Sequence, residues 1–126
     1  MNKAKTAARI VFGLLWLIFG LNFFFNFLPP QPPVPEEAMK FLGGLMANPY
    51  MFPTIKSLEI IVGLMLVANI AVPLALVLIA PITVNILLFH AILAPAGMGV
   101  TLLMVILNVF LGVAYFNSYK PLFKKV

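Results

Sequence analysis

No cysteine occurs in the chain, which excludes disulfides, thiolate metal sites and paired-thiol redox chemistry. Charge is nearly as scarce: 9% of residues are charged, against about a quarter in a soluble domain. Only three of them are acidic, and there is a single histidine. One His and one Glu inside the apolar segments fall short of the three protein ligands that even an open catalytic zinc site takes, so no metal is expected. A haem would require a methionine as second axial ligand. No phosphate-binding glycine motif and no nucleophile elbow is present.

Apolar residues fill the space left by these scarcities. They make up 63% of the chain, and mean hydropathy is +1.13, which identifies a membrane protein. A length of 126 residues allows one domain, spanning 1–126. The formal charge of +5 raises the question of nucleic acid. The basic residues, however, sit at the ends of apolar segments rather than along one face, an arrangement suited to anionic lipid headgroups. The lipid bilayer is therefore the expected partner, and nucleic acid is not.

Four apolar segments, at about 10–28, 54–72, 74–93 and 100–119, each approach the roughly 20 residues that a helix needs to cross about 30 Å of hydrocarbon. The first is too long for a signal peptide and is not followed by a small-x-small cleavage site, so it reads as a retained helix. Lys3, Lys5 and Arg9 precede it, and Lys120, Lys124 and Lys125 follow the fourth segment. With four crossings, six of the eight basic residues then face the cytoplasm, giving an N-in, C-in topology by the positive-inside rule. The expected fold is an all-α integral membrane four-helix bundle.

The only long loop, at 29–53, lies outside and opens with PPQPPVP, which cannot helicate and should run extended. Pro35-Glu36-Glu37 then reads as a helix start. Ala38, Met39, Leu42, Leu45 and Met46 follow at helical spacing, which predicts a short interfacial helix, either a plain connector or a lid over the bundle mouth. Asn48-Pro49 and Pro53 end it and restart the chain. Only residues 69–73 separate the second and third segments, which requires a tight antiparallel hairpin. Pro81 should bend the third segment.

Ionisable groups inside a span are costly and usually face the bundle interior or a wet cavity. Glu59 and His90 are the two candidates, and the topology puts both toward the outer side. Asn22 and Asn26 share a face at i, i+4 spacing in the outer third of the first segment. Asn85 and Thr101 lie nearby, and Thr101, Asn108 and Tyr115 recur every seven residues. These positions predict a polar pocket open to the outer face, built from Asn22, Asn26, Glu59, Asn85, His90 and Thr101. A histidine and a carboxylate at one depth are able to hydrogen-bond the two carbonyls of a quinone and exchange protons with it. They are equally able to relay protons or bind a small polar solute. The structural alternatives are asparagines that join helices, Glu59 paired with Lys56, and His90 satisfying Glu59 or a carbonyl. Gly13, Gly20, Gly63 and Gly112 read as close-approach packing sites, and Trp16 and the phenylalanines of NFFFNF as packing or lipid-facing aromatics.

The segments ARIVFGLLWLIFGLNFFFNF, KSLEIIVGLMLVAN and PLALVLIAPITVNILLFHAILAP together resemble the DoxX and DoxX-like family of small four-helix bacterial membrane proteins. The resemblance covers nearly the whole chain and rests on order and spacing more than on any one motif. It implies a multi-pass bundle in the bacterial inner membrane. Some members are associated with respiratory or sulfur-compound oxidation, including a membrane subunit of a thiosulfate:quinone oxidoreductase; others work with soluble oxidative-stress enzymes, and distant ones look like assembly factors. It carries over no catalytic residues.

Two functional expectations follow. The first is an accessory or electron-transfer subunit, not an enzyme alone, whose outer pocket takes a quinone or a similar amphipathic ligand and which relies on a soluble or membrane oxidoreductase partner because the chain has no intrinsic cofactor motif. The second is a scaffold or chaperone-like assembly factor whose polar groups serve internal packing. Homo-oligomers are compatible with either. A small multidrug transporter fits poorly, because such proteins carry their essential glutamate in the first helix, where this chain has no acid, and because the six-to-two basic bias opposes dual orientation.

Overall fold

The computed structural model describes residues 2–29 and 34–124. The proline run at 30–33, expected to be extended, lies outside the described residues, as does Lys125. The helices are α1 (Asn2–Phe25), α2 (Glu36–Ala47), α3 (Met51–Ala68), α4 (Val72–Leu88), α5 (Met98–Ala114) and α6 (Phe116–Tyr119). A π-helical turn, Phe89–Leu93, prolongs α4, and 3-10 turns occupy Pro95–Gly97 and Lys120–Phe123. Four helical stretches, Lys3–Phe25, Met51–Ala68, Val72–Leu93 and Pro95–Ala114, are long and apolar enough to cross a membrane. Each span begins earlier in the sequence than the hydropathy reading placed it, and the first begins inside the basic N-terminal segment.

The spans form a ring in which α1 packs on α3 and α5, α3 on α4, and α4 on α5. Successive spans run antiparallel, so both ends of the described chain lie at one end of the bundle, with Lys5 Nζ 4.7 Å from the Tyr115 ring centre. Phe12, Trp16, Val62, Leu66, Ala75, Leu76, Ile79, Met104 and Leu111 form the shared core. Large apolar side chains such as Leu14, Leu64, Leu74, Val84, Ile106 and Val113 cover the outside, as contact with lipid requires.

The most extensive interface is that of α1 with α3, and glycine explains why. A Cβ at Gly63 would stand 2.7 Å from Leu17 Cγ and 2.8 Å from the Gly13 carbonyl, and one at Gly20 would stand 2.7 Å from Ile60 Cγ1. Backbones therefore meet directly, the arrangement that holds helices together in lipid, where apolar burial gives no driving force. Gly112 departs from the expectation, because nothing lies within 4 Å of its Cβ position. Nearby, Arg9 is 9% exposed. Its Nη1 donates to the carbonyls of Leu66 and Val67, placing a cation at the negative end of α3.

Chain reversals are built from asparagine and proline. Asn69 and Ala71 both adopt left-handed conformations, with φ of 59° and 46°, turning α3 into α4 within the few residues before Pro73. Asn48 Oδ1 accepts from the N–H groups of Tyr50 and Met51 at 3.0 and 3.2 Å, closing the turn that leads from α2 into α3. The short helix expected after Pro35 is α2, which packs on α3 and on the π-helical turn.

Gly63→Val is expected to destabilise the protein by about 1–3 kcal/mol through overpacking and to lower its Tm in detergent. Gly112→Ala, which meets nothing, should leave Tm unchanged or raise it slightly.

Candidate functional site

The six polar residues expected to share one outer pocket are held mainly by local hydrogen bonds. Asn22 Oδ1 accepts from the Leu28 N–H at 2.7 Å, and the Asn22 carbonyl accepts from the Asn26 N–H at 2.7 Å. Asn26 itself is exposed and left-handed, φ 51°. The pair therefore acts as the stop of α1, with asparagine in the role that glycine usually fills. Thr101, 2% exposed, donates to the Gly97 carbonyl at 3.0 Å within the first turn of its own helix. Thr83, a buried hydroxyl that sequence reasoning passed over, donates in the same way to Ile79.

Glu59 is buried, 2% exposed, and its Oε1 accepts from Lys56 Nζ at 3.3 Å. Lys56 in turn lies 5.7 Å from the Phe52 ring centre, and Phe52 stacks on Phe23 of α1 at 5.5 Å. A buried carboxylate in an apolar bundle needs such a partner, and the i, i+3 spacing supplies it from one helix. Among the described residues, no side-chain hydrogen bond joins any two of Asn22, Asn26, Glu59, Asn85, His90 and Thr101. The members of the expected outer pocket are thus each bonded locally rather than to one another.

Asn85 and His90 belong to a different arrangement at the end of α4. Asn85 is exposed, and its Nδ2 donates to the Pro81 carbonyl at 2.9 Å. Four residues on, the helix widens into the π-helical turn Phe89–Leu93, which contains the chain's single histidine. Wide turns of this kind are often found at functional sites. His90 Nδ1 lies 2.8 Å from the Ala94 carbonyl, which can only accept, so Nδ1 donates to it. The ring covers Gly97, where a methyl group would overlap it. Phe89 meets the His90 ring edge-on at 5.1 Å and contacts Phe41 of α2 at 5.7 Å. A groove of about 180 Å³ lies here, lined by Phe41, Asn85, Leu88, Phe89, Ile92 and Leu93. Asn85 is its one polar lining residue.

Sequence reasoning missed the π-helical turn, Gly97 as the seat of His90, and Arg9 as a cap for α3. Gly97, within PAG, carried a signal, since a glycine a short distance beyond a histidine allows a ring to lie on the backbone. The widening of the helix has no comparable mark.

Gly97→Ala should push His90 off Ala94. As the chain has one histidine, the ultraviolet absorbance of the carbethoxyimidazole formed by diethyl pyrocarbonate reports on it alone: modification should be several-fold faster in the variant than in wild type, and equal rates would mean that the ring is not held.

No family model, no curated protein and no solved structure matches this chain, so its functional reading rests on the geometry of its own residues.

Proposed function

We propose that this protein is a membrane accessory or electron-transfer subunit of the DoxX-like kind that binds a quinone, or a similar small amphipathic ligand, in the groove beside Asn85 and the π-helical turn. The observation that carries this reading is the coincidence of that turn, the lone histidine and a groove overlain by α2 at the Phe41–Phe89 contact. A groove of about 180 Å³ is smaller than the roughly 300 Å³ at which enclosed small-molecule pockets begin. It suits a ring-sized head whose tail lies among lipid chains. The amide of Asn85 offers an acceptor and a second N–H to a ring oxygen or hydroxyl, and the flanking apolar residues keep water from it. Electrons would come from an oxidoreductase partner, soluble or membrane-bound.

The topology that goes with this reading is N-in and C-in in the bacterial inner membrane, supported by the concentration of basic residues at the end of the bundle that carries the termini. The groove then opens in the outer leaflet, and α2, with Met39, Phe41 and Met46 exposed, lies along the outer interface as an amphipathic helix.

The local bonding of Asn22, Thr101 and the Lys56–Glu59 pair favours a second reading, a scaffold or assembly factor in which these groups only shape the bundle. The two readings differ in what co-purifies. Mass spectrometry of an organic extract from protein purified out of its native membrane should find a near-stoichiometric small lipid in wild type. That lipid should be lost in Asn85→Leu and retained in Glu59→Gln. Bulk phospholipid alone in wild type would leave the scaffold reading standing.

A further inference from the structure

Most buried polar groups in a folded protein have a hydrogen-bond partner, and one without a partner needs an explanation. Two buried side-chain atoms lack one among the described residues: the indole Nε1 of Trp16 on α1 and Oδ1 of Asn108 on α5. Neither belongs to the groove at the end of α4. Trp16 is 1% exposed, so its N–H has no route to headgroups or bulk water, and a bilayer supplies nothing in their place.

The two orphans lie on neighbouring helices, Trp16 fully buried and Asn108 partly so. α1 and α5 pack against each other. Trp16 shares a core cluster with Met104 and Leu111, the residues four before and three after Asn108, and these bracket it by one turn on either side. Lys5 against Tyr115 gives the approximate register of the two antiparallel helices. Trp16 lies eleven residues from Lys5 and Asn108 seven from Tyr115, which puts the Trp16 backbone higher in the bundle by about 6 Å at ~1.5 Å per residue. Side chains on a helix lean toward its N-terminus. The indole of Trp16 therefore leans down α1, and the amide of Asn108 leans up α5, so the donor and the acceptor incline toward the same level.

We propose that a single water molecule is bound between Trp16 and Asn108 at the centre of the bundle, accepting from the indole N–H and donating to the amide carbonyl. Water suits the site whichever way the amide is turned: with the amide reversed, its oxygen accepts from the indole and from Nδ2 alike. An apolar ligand would satisfy neither atom. A water with two or more polar partners is the common solution for buried groups of this kind. Its consequence is a polar tie between α1 and α5, two spans that the glycine contacts of α1 with α3 do not join.

The chain has one tryptophan, so a protein labelled with ¹⁵N-indole and reconstituted in nanodiscs gives a single indole N–H resonance. The wild-type protein is expected to show a cross-peak from that proton to a long-lived water. Asn108→Leu should abolish the cross-peak and shift Trp16 fluorescence to the blue, while Asn108→Ser, which retains a polar group, should keep both close to wild type. Absence of a water cross-peak in wild type would overturn the proposal, whether the indole proton then proved insensitive to Asn108→Leu or proved bonded directly to the amide. The wild-type measurement needs no variant to fold.

Discussion

Direct backbone contact between α1 and α3 is the constraint from which the rest of the arrangement follows. Lipid removes the hydrophobic drive that would press two helices together in water, so association depends on close packing and on polar ties. At Gly13 and Gly63 no side chain intervenes. The two helices are then close enough for Arg9 to reach the carbonyls at the end of α3 and for Gly20 to lie against Ile60 and the Lys56 carbonyl. The latter contact covers the turn that carries Glu59. The carboxylate is consequently sealed beside the one cation on its own helix, within reach of neither His90 nor Asn85 by any hydrogen bond.

The same scarcity of water explains how the remaining polar groups are settled. Several of them find a partner within a few residues: Asn22 and Asn26 stop α1, Asn48 bonds the turn before α3, Asn69 ends it, and Thr83 and Thr101 bond back along their helices, whereas the Tyr119 hydroxyl reaches across to the Pro73 carbonyl at 2.7 Å. α4 departs from regular geometry at its far end. There Pro81 lies within the helix, the helix widens at Phe89, and His90 folds over Gly97. That end is also where α2 approaches, so irregular backbone, the single histidine and a groove share one place.

Much of this architecture was legible in the sequence. The apolar runs marked the four spans, Pro35-Glu36-Glu37 marked the start of α2, and the short stretch from Asn69 to Pro73 required a hairpin. Three of the four glycines read as close-approach sites lie at the α1–α3 contact; Gly112, with the same residue type and similar surroundings in sequence, does not, because only the rotation of α5 decides which face a glycine presents. The candidate site was less legible for a related reason. Depth along a helix is easily counted, but azimuth is not, and Asn22, Glu59, Asn85 and His90 point to different neighbours. The pair Asn22 and Asn26 was open to two readings, a polar wall or a helix stop. Choosing the stop depends on the left-handed backbone at Asn26, to which the sequence offers only the mild preference of asparagine for that conformation.

The proposed ligand site lies at the Phe89 end of α4, away from the chain termini. The most direct test is to replace Phe89 with a photoreactive benzoylphenylalanine, irradiate native membranes and weigh the intact chain. A ligand in the groove beside Asn85 should give an adduct of a few hundred daltons from a single non-phospholipid species, lost when Asn85 is changed to Leu. Adducts formed only with another protein, or only with bulk phospholipid, would contradict it.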